Sequence, residues 1–155
     1  MADLQEIADR LAIRELLDRY TIEVTRRNWD GVAACFHEDG AWVTSVGHDA
    51  RGRAAVKETI RGAVEPMEVL VQMNHAIDVA ELDGDRATTR SVLNEYGRAP
   101  GGAGGVFVLG VYTDTVTKVN GRWGFARRFF QVHFIDTSAP PGTVMVDYKN
   151  PATLP

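Results

Sequence analysis

"VYTDTVTKVNGRWGFARR", residues 111–128, sets two runs of β-branched and aromatic side chains on either side of Asn120-Gly121. Asn-Gly between such runs is a strong hairpin signal, because a two-residue turn needs positive φ at both positions and these two residues tolerate it. Working outward from that hairpin, four long extended segments cover roughly 67–81, 85–99, 105–119 and 122–135, separated by "LDGD", "RAPGGAGG" and "VNGRW". The second half of the chain is predicted as a run of antiparallel strands.

Upstream of Pro66 the period changes from strand to helix. Leu4, Ile7, Leu11, Leu16, Tyr20 and Val24 recur at helical spacing and predict an amphipathic helix from Asp3 to about Arg27. Asn28 is placed to cap a short second helix, "NWDGVAACF", which "HEDG" ends. A short strand is expected at "AWVTSV", a turn at "GHDARG", and a third helix over "RGRAAVKETIRGAV", stopped near Pro66.

Helices first and antiparallel strands afterwards argue the α+β class, with three N-terminal helices packed on one face of a curved, mostly antiparallel sheet. A sheet that curls over its helices makes a cone-shaped α+β barrel with a hollow mouth. One domain is expected over residues 1–137, followed by a C-terminal tail, 138–155. The tail's single apolar segment, "TVMV", cannot bury itself alone and is expected to dock on a neighbouring subunit.

At 155 residues the chain is long enough to bury one core and too short for two comfortable ones. A net charge of −4 presents no basic face to nucleic acid. Cys35, the only cysteine, excludes an internal disulfide and reads as a small buried hydrophobe. No apolar run is long enough for a bilayer span or a signal-peptide core, so a cytoplasmic protein without membrane contact is expected. Histidines at metal-ligand spacing are missing, and "PGGAGG" lacks the Lys and Ser/Thr of a phosphate loop, so neither metal nor cofactor is expected.

The order and spacing of "FHEDGAW" (36–42), "DGDRA" (83–87), "GVYTD" (110–114) and "GRWGFARR" (121–128) resemble the SnoaL-like branch of the nuclear-transport-factor-2-like superfamily. Within it the chain is most similar to the group containing hexachlorocyclohexane dehydrochlorinase, bile acid 7α-dehydratase and scytalone dehydratase. The resemblance implies a deep apolar cavity, a small hydrophobic ligand or substrate, and a homo-oligomer, dimer or trimer. It also implies elimination of water or chloride from a cyclic molecule, by a histidine base oriented by an aspartate on the first helix, sometimes with a tyrosine nearby.

Carried over position by position, Tyr20 matches the tyrosine and Trp42 a cavity tryptophan. Thr25 stands where the aspartate belongs, and a neutral hydroxyl cannot stabilise imidazolium by charge. His75 is the only histidine near the right strand, although counting back from Gly84-Asp85 places the family histidine nearer Gln72 or Met73. His75 therefore has two readings, a general base near neutral pH or a histidine hydrogen-bonded in the sheet. Asp114 and Asp78 are the acids that could replace the missing aspartate. Arg128, Phe130 and Val132 share one strand parity and are expected to wall the cavity, where a buried arginine needs a partner or an anionic ligand.

The resulting expectation is a cofactor-independent lyase or isomerase in which His75 moves the proton, Tyr20 binds an oxygen or leaving group, and Arg128 or Asp114 takes over part of the absent aspartate's role. A non-catalytic binding protein on the same scaffold and a polyketide-type cyclase are the alternatives.

Overall fold

The computed structural model describes residues 4–148. Three helices, α1 (Leu4–Arg26), α2 (Trp29–Ala34) and α3 (Arg53–Val64), precede or interrupt six strands: β1 (Phe36–Thr44), β2 (Asp49–Arg51), β3 (Val69–Asp83), β4 (Arg86–Arg98), β5 (Gly105–Val119) and β6 (Arg122–Asp136). The sheet order is β2-β1-β6-β5-β4-β3, antiparallel throughout except where β1 runs parallel to β6. That parallel pair joins the N-terminal unit to the long strands, and the helices cover the inner face as the α+β reading requires.

The Asn120-Gly121 turn forms as expected, with φ of 51° and 76°. Asn28 caps α2, its side chain accepting from the Gly31 amide at 3.2 Å. Two local expectations are corrected. "HEDG" is strand, since β1 starts at Phe36 and absorbs these residues in an irregularity between Phe36 and Ala41, and "GHDARG" contains the short β2. The apolar stripe of α1 is also shifted: Leu4, Ile7 and Leu11 are exposed, while Ile13, Leu16, Leu17, Tyr20 and Val24 are buried.

The core lies between the inner face of the sheet and the buried stripes of α1 and α3, the latter made by Val56, Ile60 and Val64. Truncating such a side chain to Ala typically costs about 2–5 kcal/mol. Cys35 is part of this core, and burial pushes its thiol up to about 11. Two bulges decide which residues face in. One, between Asn74 and Ile77, switches the inner row of β3 from Leu70, Gln72 and Asn74 to Ile77 and Val79. The other, opposite Thr115 and Val116, switches β6 from Trp123 and Phe125 to Arg128 and Phe130.

Helix α1 is tied to β3 by side chains. Arg10 donates to the Val79 carbonyl at 2.9 Å and Arg14 to that of Ile77 at 2.8 Å, while Thr25 Oγ1 accepts from the Gln72 amide at 3.1 Å. At the tapered end, Asp9 of α1 accepts from Lys118 at 2.6 Å, from Trp123 Nε1 at 2.8 Å and from Gln5 at 3.1 Å. Among the described residues no helix is long and apolar enough to cross a membrane.

Candidate functional site

Strands β5 and β6 pair Asp114 with Arg128, and the parity of each strand points both side chains inward. Arg128 Nε donates to Asp114 Oδ1 at 3.1 Å and Nη2 lies 3.0 Å from Oδ2, with both side chains almost wholly shielded from solvent. Thr89 of β4 adds a donor to Asp114 at 3.4 Å. Removing two charges from water is costly unless geometry and extra hydrogen bonds compensate, and this bidentate pair supplies both. Burial pushes the Asp114 carboxyl up, with the Arg128 guanidinium opposing it.

The guanidinium is stacked among rings, 3.8 Å from the centroid of Tyr112 and 4.2 Å from those of Tyr20 and Phe125. Aromatic faces attract a desolvated cation, so the box holds Arg128 in place without using its remaining nitrogen. Nη1 has no hydrogen-bond acceptor among the described residues.

Tyr20 enters this box from α1, its ring edge-on to Phe36, Tyr112 and Phe125 at 5.9–6.2 Å. Its hydroxyl lies near that of Tyr112 but reaches no partner with hydrogen-bond geometry. Burial raises the pKa of both phenols, so both remain neutral O–H donors at neutral pH. Trp42 donates from Nε1 to the Tyr112 hydroxyl at 3.1 Å. Phe130 lies 4.6 Å from the Tyr112 ring centroid, over Gly110, where a Cβ would meet the Phe130 ring at 2.6 Å. Val132 is half-buried against the same cluster. Tyr20, Trp42, Asp114, Arg128, Phe130 and Val132 thus converge.

Beside this floor lies a pair that sequence reasoning missed. Glu95 of β4 stands on the inner row with Thr89, Ser91 and Leu93, and accepts from Gln72 Nε2 of β3 at 2.7 Å. Protein surrounds the carboxyl on nearly every side, while the residue as a whole keeps part of its surface accessible. Burial raises its pKa, with the Gln72 hydrogen bond opposing. The alternation Ser91, Leu93, Glu95 inward against Val92 and Tyr96 outward was the available signal. Thr25 holds the Gln72 backbone in place, while His75 lies on the other face of the sheet.

His75 requires a correction. The bulge of β3 begins only after Asn74, so it does not turn His75 inward; the residue is exposed on the outer face, where its Nε2 meets Asn94 Oδ1. Asp78 is exposed there too, 3.9 Å from Arg90. The described part of the tail lies on its own chain: Tyr148 packs 3.8 Å beneath the Arg27 guanidinium and its hydroxyl reaches the Leu70 carbonyl at 3.5 Å. Residues 149–155 of the expected tail lie outside the described residues.

A six-stranded curved sheet covered by N-terminal helices defines the class: a protein of the nuclear-transport-factor-2-like fold. The chain belongs to the SnoaL-like domain family, whose profile matches residues 5–129. Among solved structures, a protein from Novosphingobium aromaticivorans described as a scytalone dehydratase is 25% identical over 89% of this chain and 96% of its own, at a TM-score of 0.77. A type 2 hexachlorocyclohexane dehydrochlorinase is 20% identical over 92% of this chain and 100% of its own, at 0.82. The type 3 enzyme from Novosphingobium barchaimii is 18% identical over 92% and 99%, also at 0.82. No curated protein matches in sequence.

Proposed function

We propose that this chain is a cofactor-independent lyase or isomerase that moves protons on a small, largely apolar cyclic molecule held inside the cone. One observation carries the proposal: Arg128 Nη1 and the Tyr20 hydroxyl are buried donors without acceptors, and the guanidinium stacks on the Tyr20 ring. Buried donors are normally satisfied, and an unsatisfied one costs about 1–3 kcal/mol. A carbonyl oxygen, hydroxyl or chloride entering the box would satisfy both. Because Asp114 already neutralises Arg128, the site suits a neutral molecule whose negative charge develops during reaction.

In the elimination, a base takes a proton from carbon, the C–H electron pair becomes the new C=C bond, and the leaving group departs with the pair of its own bond. Tyr20 and Arg128 hydrogen-bond that departing group or a carbonyl oxygen, and Asp114 holds Arg128 in register. Trp42, Phe130 and Val132 bound the apolar part of the molecule. The same proposal takes the protein as cytoplasmic and as a homo-oligomer, the latter supported by the exposed Met73, Val92, Leu109 and Phe134 on the outer face.

The test is turnover of hexachlorocyclohexane and of scytalone, followed by chloride release and by mass loss of water. Product formation that falls about 100-fold in Tyr20→Phe supports the proposal. Saturable binding with no product from either compound favours the second reading, a small-molecule carrier on this fold, for which the neutral Thr25 at the family's aspartate position argues.

A further inference from the structure

We infer that Glu95 is the proton-accepting catalytic residue of this interior, with Gln72 as its positioning residue. The inference rests on the proton-transfer reading and names the group that reading lacks, since His75 lies on the outer face. Among the described residues, Asp9, Asp114 and Glu95 carry carboxylates on the core side of the helices and sheet, while Glu23 of α1 buries its own against Gly31 of α2, and their company differs. Asp9 is paired with Lys118 and Asp114 with Arg128, whereas Glu95 has no cation within salt-bridge distance among the described residues and is held by one neutral donor, Gln72 Nε2. A carboxylate locked to a cation is a poor base, while one surrounded by protein and held by a single amide keeps lone pairs free and gains basicity.

The groups around Glu95 fit this task. Gln72 comes from β3 and is itself fixed by Thr25 of α1 through its backbone amide. Tyr20 of α1 and Tyr112 of β5, whose phenols are raised chiefly by burial, also feel the Glu95 charge as a minor influence on each. Arg128 of β6 has its charge met by Asp114. The substrate class follows: a neutral ring with a carbonyl or leaving group bound at Tyr20 and Arg128, and an acidified C–H facing β4. Glu95 takes that proton and the C–H pair forms the double bond. The proton then leaves to solvent past Gln72 or, in an isomerisation, returns to a different carbon.

The test uses the full chain with 2-tetralone in deuterium oxide, following loss of the proton signal next to the carbonyl by NMR. Enolisation needs a base and a donor to oxygen but no leaving group, so it separates this assignment from elimination. The wild type should exchange above buffer, faster as pH rises and Glu95 ionises. Glu95→Gln, close to isosteric, should lower exchange about 100-fold or more with an unchanged circular dichroism spectrum. Gln72→Met should keep exchange but move its acid limb to higher pH, because the donor to the ionised carboxylate is gone; a purely structural Gln72 would leave that limb in place. Undiminished exchange in Glu95→Gln, or no exchange by the wild type, overturns the assignment. Exchange that depends on Glu95, without turnover of hexachlorocyclohexane or scytalone, keeps Glu95 as base and removes elimination.

Discussion

Two buried ion pairs occupy different parts of this fold, and they are finished differently. In the Asp9 pair, Lys118, Trp123 and Gln5 together satisfy both carboxylate oxygens, and the Lys118 ammonium also lies 5.3 Å from the Trp123 ring centroid. In the Asp114 pair the carboxylate is equally well served, but its cation keeps a nitrogen without an acceptor and stands beside a phenol in the same condition. Folding alone accounts for the first arrangement. The second retains hydrogen-bonding capacity that folding does not use, which is what a binding site requires.

Four substitutions break or sharpen this contrast. The largest effect is expected from Asp114→Ala, which strands a fully buried guanidinium and should cost about 3–5 kcal/mol in urea unfolding. Asp9→Ala should cost less, about 1–3 kcal/mol, because Lys118 retains some solvent contact. Tyr20→Phe should change unfolding free energy by less than about 1 kcal/mol, since its hydroxyl has at most a poorly aligned contact with that of Tyr112 to lose, while reducing turnover. His75→Ala should lie within about 0.5 kcal/mol of wild type and leave turnover unchanged.

Acidity separates the two regions by sign. Hydrogen bonds from Lys118 and Trp123 hold the Asp9 carboxyl at about 2, below its unfolded value of 3.8. Its contribution is therefore complete above the unfolded value and disappears as pH falls through about 2. Glu95 is raised, chiefly by burial, so the folded state favours its protonated form; that stabilisation is complete below the unfolded value of 4.5 and is lost as pH rises through the folded one. Stability-against-pH curves should steepen less below pH 4 in Asp9→Asn and fall less on the rising side in Glu95→Gln.

Much of the architecture was legible in the chain. Strand 105–119 and the Asn120-Gly121 turn coincide with the structure, because turn chemistry and strand period are local properties. Leu4, Ile7 and Leu11 misled, because periodicity reveals an apolar face and not whether anything packs against it. Arg128, Phe130 and Val132 followed from alternation, yet Trp123 and Phe125 also face in because a bulge restarts the count. His75 failed on the same kind of irregularity: the bulge between Asn74 and Ile77 returns Ile77 and Val79 to the inner row and leaves His75 on the outer face. Glu95 obeyed plain alternation, but a single glutamate on a strand reads the same in sequence whether its row faces the core or solvent.

The side-chain ties between α1 and β3 bear on how this protein meets other chains. A fifteen-residue strand at the end of a sheet ordinarily offers a row of open amides and carbonyls on which a foreign strand can grow. Here Arg10 and Arg14 occupy carbonyls along that border, Thr25 takes the Gln72 amide and Tyr148 reaches Leu70, while the bulge at residues 75–76 breaks the regular repeat between them. A strand adding along this border would first have to displace those contacts, so growth by backbone pairing is disfavoured there.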